Sequence, residues 1–151
     1  HHTDQELKAV LRRPGSVLFA CNFNAVRSPM AASLGRHIFG DGVFFDSAGV
    51  RQGNVDSFAI AVMAELDIDI SRHDAKTFDD LQDTSFDLLI SLTPQAQHKA
   101  VEVSRTMAVD LEYWPSLDPT GIEGSRDVML DAYRQVRDDL QRRIMERFGE
   151  N

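Results

Sequence analysis

An α/β fold, a parallel sheet with helices on both faces, is what this sequence predicts, and three observations carry the prediction. Short apolar runs alternate with longer segments of helical period. The first run, Val17-Leu18-Phe19-Ala20, is continuously apolar, the pattern of a strand buried on both faces. The strand–helix alternation continues along the chain, which is the order that folds into parallel sheets.

Each element has its own signal. After the first strand, Ser28 is suited to cap a helix with Pro29 in its first position, and Gly40 can close it. Val43-Phe44-Phe45 reads as the second strand and ends at Asp46-Ser47-Ala48-Gly49. Asp56 caps a helix carrying Phe58, Ile60, Ala61, Met63, Ala64 and Leu66. Phe86 to Leu92 is the third strand, Thr93-Pro94 opens another helix, and Met107 to Leu111 reads as the fourth strand. A turn-rich stretch from Trp114 to Gly124 leads into a long terminal helix. There Val128, Ala132, Val136, Leu140 and Ile144 form a stripe suited to covering a sheet. Arg134, Arg137, Arg142 and Arg143 read as its solvated face.

The chain has 151 residues, 42% hydrophobic and 26% charged, which suits one globular domain over residues 3–151. His1 and His2 read as the remnant of a purification tag. Sixteen Lys+Arg against 24 Asp+Glu give a net charge of −8, which disfavours nucleic acid and anionic membrane as partners. No apolar run approaches the length that spans a bilayer. The single cysteine, Cys21, excludes an intrachain disulfide and a Cys-rich zinc site. It fits a reducing, cytoplasmic compartment, and neither metal nor cofactor is expected.

Ligands of parallel sheets bind beyond the carboxyl ends of the strands. The first strand runs directly into Cys21-Asn22-Phe23-Asn24-Ala25-Val26-Arg27-Ser28-Pro29-Met30, a C-x-x-x-x-x-R-[ST] pattern. Successive N–H groups from Asn22 through Ser28 can form an anion-binding nest, and the following helix adds the positive end of its dipole. Arg27 supplies a planar fork for two oxygens of a tetrahedral oxyanion. The same field favours an anionic sulfur on Cys21, and Ser28 can donate its hydroxyl to it. Asn24 tolerates the left-handed backbone that a tight loop needs. A thiol nucleophile on a phosphate ester also needs an acid for the departing oxygen. Asp118, in Asp118-Pro119, is the best candidate, the alternative being a plain turn. The spacing lacks the G-x-x-x-x-G-K-[ST] of a nucleotide-binding loop.

At Cys21 to Met30, Ser47-Ala48-Gly49 and Asp118-Pro119 the chain resembles the low-molecular-weight protein tyrosine phosphatases and the arsenate reductases that share their fold. The resemblance implies a four-stranded parallel sheet with a phosphate-binding loop after the first strand, and no metal. It makes Cys21 the nucleophile that becomes phosphocysteine, Arg27 the phosphoryl clamp and Asp118 the acid and then the base. Asn24 and Ser47 would hold the loop, Ser28 would stabilise the thiolate, and His73 would support the loop. The implied substrate is a phosphorylated protein, most of all phosphotyrosine, or a small aryl phosphate. Phosphate, arsenate and vanadate are the implied ligands. Phe23 stands where the family commonly has glycine, Val26 replaces a second loop cysteine, and Thr120 replaces an aromatic residue. Phe23, Tyr113 and Trp114 are the candidates for a replacement aromatic wall. Asp118-Pro119-Thr120, Gly124 and Tyr133 to Asp138 look more like the arsenate reductase branch, whose relay through two further cysteines this chain lacks. An arsenate reductase using an external thiol is therefore the alternative. A non-catalytic phosphate-binding domain, with Phe23 blocking entry, is the third reading.

Overall fold

Hydropathy and capping place the elements in the computed structural model, which describes residues 14–81 and 85–149; His1 and His2 lie outside these. The strands are β1 (Ser16–Cys21), β2 (Phe44–Gly49), β3 (Leu88–Ser91) and β4 (Asp110–Tyr113). The helices are α1 (Arg27–Phe39), α2 (Ser57–Ala64), α3 (Pro94–Ser104) and α4 (Arg126–Phe148). All strands pair in parallel, in the order β2-β1-β3-β4. From β1 the chain crosses to β2 on one side, and from β3 to β4 on the other. The order therefore reverses between β1 and β3, and the carboxyl end of β1 borders the crevice where such sheets bind ligands.

The period of two in β1 sorts its side chains between two cores. Val17, Phe19 and Cys21 face the larger one, shared with Met30 and Leu34 of α1, Val62 and Met63 of α2, and Leu140 and Ile144 of α4. Leu18 and Ala20 face the smaller one, under Ala96 and Ala100 of α3. Phe19 stacks on Phe45 at 6.1 Å, and Phe45 meets Phe148 edge-on at 5.4 Å, which locks α4 across the sheet.

Local caps act where the residue types suggested. Asp56 accepts from Phe58 N and Ala59 N at the start of α2, and Thr93 accepts from Ala96 N at the start of α3. Three boundaries and one helix face differ from expectation. Helix α1 begins at Arg27 with Val26 as its N-cap and no side-chain cap, because the Ser28 hydroxyl is engaged elsewhere. Strand β3 is confined to Leu88–Ser91, the stretch that reaches both neighbouring strands. Strand β4 lies two to three residues later than Met107–Leu111; at the sheet edge, its half-exposed residues carry no continuous apolar signature. In α4 a repeat of four drifts by about 40° per step, since a turn is 3.6 residues. The stripe therefore leaves Val128 exposed and is completed by Tyr133, Arg137 and Phe148. Arg137 is thus 8% exposed rather than solvated, donating to Val62 O, Glu65 and Asp138.

Candidate active site

The loop after β1 is shaped by where its carbonyls go. Those of Cys21, Asn22, Phe23 and Ala25 accept from the N–H groups of Val50, Arg51, Gly53 and Asp56 at 2.8 to 3.0 Å. The Asn24 carbonyl faces His73 Nε2 at 3.1 Å. In a trans peptide the N–H points opposite to the C=O. The amides of Asn22, Phe23, Asn24, Ala25 and Val26 are thereby turned to the inner side of the loop, and none has a protein acceptor among the described residues. Five donors without a protein acceptor among the described residues, continued by the first turn of α1, form an array of the kind that can cradle an anion. Gly49 permits it: a Cβ there would lie 2.6 Å from Asn24 N and 2.8 Å from the Phe23 carbonyl carbon.

Asn24 is the keystone. It is fully buried, with a left-handed φ of 54°, a conformation that asparagine adopts more readily than most residues. Its Oδ1 accepts from Lys76 N at 3.0 Å and faces His73 Nε2 at 2.9 Å. A backbone N–H can only donate, so this atom is the amide oxygen and His73 carries its proton on Nε2. Burial, reinforced by the charges of Lys76 and Arg36, outweighs the bond to Asn24 and the charge of Asp46 and lowers the His73 pKa, which favours the neutral ring. Asn24 Nδ2 then donates to Ser28 Oγ at 2.8 Å, and that oxygen lies 2.9 Å from Cys21 Sγ and 3.4 Å from the Ala48 carbonyl, the two acceptors its proton can serve. A continuous set of side-chain bonds thus links His73 through Asn24 and Ser28 to the Cys21 sulfur.

Arg27 is 8% exposed, and its Nη1 donates to Ser116 O at 3.0 Å, joining the loop to the segment that carries Asp118. Asp118 is exposed and accepts from Thr120 N at 3.0 Å and Thr120 Oγ1 at 2.6 Å. Partial burial pushes its carboxyl up, but the Thr120 donors and the Arg27 charge outweigh this and hold it below the ordinary carboxylate range. The structure therefore brings Cys21, Asn24, Ser28 and His73 into one bonded constellation, while Arg27 is bonded to Ser116 and its charge acts on Asp118.

One expectation needs correction. Ser47 does not bond the loop: its hydroxyl is buried without a partner, because it lies one pleat below Gly49 on the face of Phe19 and Phe45. Tyr113 and Trp114, the other candidates for an aromatic wall, both line a groove that no loop residue reaches. Trp114 packs edge-on against Phe19 at 5.8 Å, and Tyr113 opens on this groove of about 490 Å³ beside Arg142 and Arg147. No loop residue lines that groove or the hollow of about 550 Å³ at Arg36 and Phe44. Phe23, 52% exposed, is the aromatic ring that the loop itself presents. Lys76 and Asp56 were missed by sequence reasoning; Asp56 carried a capping signal, whereas nothing local marks a backbone donor such as Lys76 N. Among the described residues no group of three or more His, Cys, Asp or Glu could hold a metal ion, and no helix is long and apolar enough to cross a membrane.

Comparison with known proteins agrees with this geometry. A family model described as low molecular weight phosphotyrosine protein phosphatase matches residues 16–148. An arsenate reductase of Staphylococcus aureus (strain N315) is 33% identical over 126 residues, covering 83% of this chain and 90% of its own. A solved arsenate reductase in its oxidized state has a TM-score of 0.72 at 25% identity, over 89% of this chain and 97% of that one. A mutant of the arginine phosphatase YwlE, with a phosphorylated active-site serine, has a TM-score of 0.65 at 25% identity, over 85% and 90% of the two chains.

Proposed function

Because the chain belongs to the low molecular weight phosphotyrosine protein phosphatase family, we propose that it hydrolyses phosphate monoesters through a phosphocysteine, with phosphotyrosine in proteins as the substrate. The observation that carries this reading is the Cys21 sulfur, held by Ser28 at the base of five inward-turned amides. Cys21 attacks phosphorus in line with the departing oxygen. The amides and Arg27 bind the equatorial oxygens, whose charge is redistributed in the transition state. Asp118, in its protonated form, gives the leaving oxygen its proton, a contribution of about 10² to 10⁴ in rate. It then takes a proton from the water that cleaves the S–P bond, which releases phosphate and restores the thiolate. Phe23 offers an aromatic face to an aryl ester at the loop rim. The site has no role for a metal in this scheme, and the acidic net charge favours a protein or small-molecule partner over nucleic acid. A cytoplasmic location suits the free thiol that the reaction requires.

The 33% identity to an arsenate reductase favours a second reading, arsenate reduction. With one cysteine in the chain, both electrons come from external thiols. A thiol attacks the Cys21–arsenate adduct to release arsenite and leave a mixed disulfide, and a second thiol frees Cys21 as an external disulfide forms. One experiment separates the readings. Wild type and Cys21→Ser are assayed on an aryl phosphate at pH 5 to 7, on phosphotyrosine and phosphoarginine peptides, and on arsenate with glutathione. Hydrolysis of the aryl and phosphotyrosine esters by wild type alone is the expected result. Persistent turnover in Cys21→Ser rules out the thiol mechanism. Arsenate-dependent thiol oxidation without ester hydrolysis selects the second reading, and preference for phosphoarginine reassigns the substrate.

A further inference from the structure

Of the loop carbonyls, that of Ala25 is anchored by the residue with the most distant connections. The donors Val50, Arg51 and Gly53 belong to one stretch that continues from β2. Asp56, whose N–H holds Ala25 O at 3.0 Å, stands where that stretch ends, and its carboxylate is tied to two helices. Oδ1 accepts from Phe58 N and Ala59 N of α2 at 2.7 and 3.3 Å. Oδ2 accepts from the hydroxyl of Tyr133 at 2.9 Å. Tyr133, on the second turn of α4, is 3% exposed, and its ring meets that of Phe58 at 5.4 Å. Burial, then the Asp56 bond and the charges of Asp56 and Asp118, push its hydroxyl up, so it stays protonated and donates. A phenylalanine would fill this apolar site equally well; the hydroxyl adds one directed bond, and that bond ends on the loop's anchor.

We infer that Tyr133 and Asp56 are positioning residues for the reaction: α4 braces the Ala25–Val26 peptide so that its N–H, rather than its carbonyl, faces the transferred group. A peptide that turns over at this point replaces a donor with a carbonyl dipole aimed at an oxyanion. Losing one such donor outright costs about 10² to 10³ in kcat, so loosening one costs about tenfold. This inference rests on the phosphatase reading only for its kinetic readout, since anion binding reports the same geometry.

The test compares wild type, Tyr133→Phe, Asp56→Ser and Asp56→Asn by kcat and KM on an aryl phosphate, by calorimetric binding of inorganic phosphate, and by thermal melting. Asp56→Ser keeps a capping hydroxyl for α2 but cannot reach Tyr133, and serves if Tyr133→Phe folds poorly. In Asp56→Asn the amide oxygen caps α2 while the amide nitrogen donates to the Tyr133 oxygen, so this variant restores the brace. Tyr133→Phe and Asp56→Ser are expected to lower kcat about tenfold with little change in KM, and to weaken phosphate binding severalfold, while Asp56→Asn stays near wild type. A lowered melting temperature with kcat and phosphate affinity within twofold of wild type overturns the inference. If wild type hydrolyses no ester, the hydrolytic reading falls and phosphate affinity alone decides: weaker in Tyr133→Phe supports the brace, unchanged refutes it. If wild type binds no phosphate either, both fall.

Discussion

Asp118 carries a tension that is visible atom by atom. As an acid it must hold a proton, yet the Thr120 hydroxyl at 2.6 Å and backbone N–H at 3.0 Å donate to its charged form, and Arg27 favours that form too. The protonated fraction falls as pH rises through this lowered pKa, so in the proposed mechanism the descending limb of kcat/KM is expected on the acid side of neutrality. Removing the Thr120 hydroxyl takes away a stabiliser of the carboxylate and raises the pKa. In Thr120→Val the descending limb is therefore expected to move to higher pH, with turnover at pH 7 above wild type. Full pH–rate profiles on an aryl phosphate check this; a limb that stays in place removes Asp118 from the acid role. At this scale much was legible. Cys21, Arg27 and Ser28 lie within eight consecutive residues, and the left-handed tolerance of Asn24 is a property of the residue itself. The position of Ser47 was not, because which face a strand residue occupies depends on a register that only the assembled sheet sets.

Helix α3 illustrates how an element can reach the site through its cap. Thr93, 1% exposed, accepts from Ala96 N at 3.0 Å and gives its own proton to Asn22 Oδ1 at 2.7 Å. One hydroxyl closes the helix and fixes the first loop side chain. Losing such a cap costs about 1 kcal/mol, and leaving a buried amide N–H unpaired adds to it. Thr93→Ala is expected to lose about 1 to 2 kcal/mol in urea unfolding, while Thr93→Ser keeps most of the stability; equal loss in both would exclude the hydroxyl as the cause. Caps such as Thr93-Pro94 and Asp56 are readable because partner and acceptor lie within three residues. The start of α1 is not, because the serine that resembles a cap spends its hydroxyl on Cys21 and Asn24. Strand β4 is blurred for another reason: an edge strand needs apolar residues on fewer sides, so pairing with β3 sets its limits rather than hydropathy.

Across the whole molecule the two faces of the sheet are unequal, and the larger core depends on α2 and α4 staying together. Glu65, at the end of α2, accepts from Arg134 at 2.7 to 3.1 Å and from Arg137 at 2.8 Å. These bonds, that of Arg134 first, pull its carboxyl from 4.5 down to about 2. A depressed acid stabilises the fold above its unfolded pKa and loses that contribution as pH falls through the folded one. The relevant window runs from 4.5 down to about 2. The Glu65 side chain is 39% exposed, so solvent screens the pair to about 1 kcal/mol or less. Arg137 is the exception that keeps the contribution from vanishing, since its side chain is 9% exposed and loses a partner when Glu65 is neutral. Glu65→Gln should accordingly melt below wild type at pH 7, with the gap narrowing steadily between pH 4.5 and pH 2.5 as wild type becomes protonated. High salt should narrow the gap only in part, because the exposed Arg134 contacts are screened more than the buried Arg137 contact. A gap that persists unchanged at pH 2.5 would assign the effect to packing at the end of α2, leaving the charge without a part in joining α2 to α4.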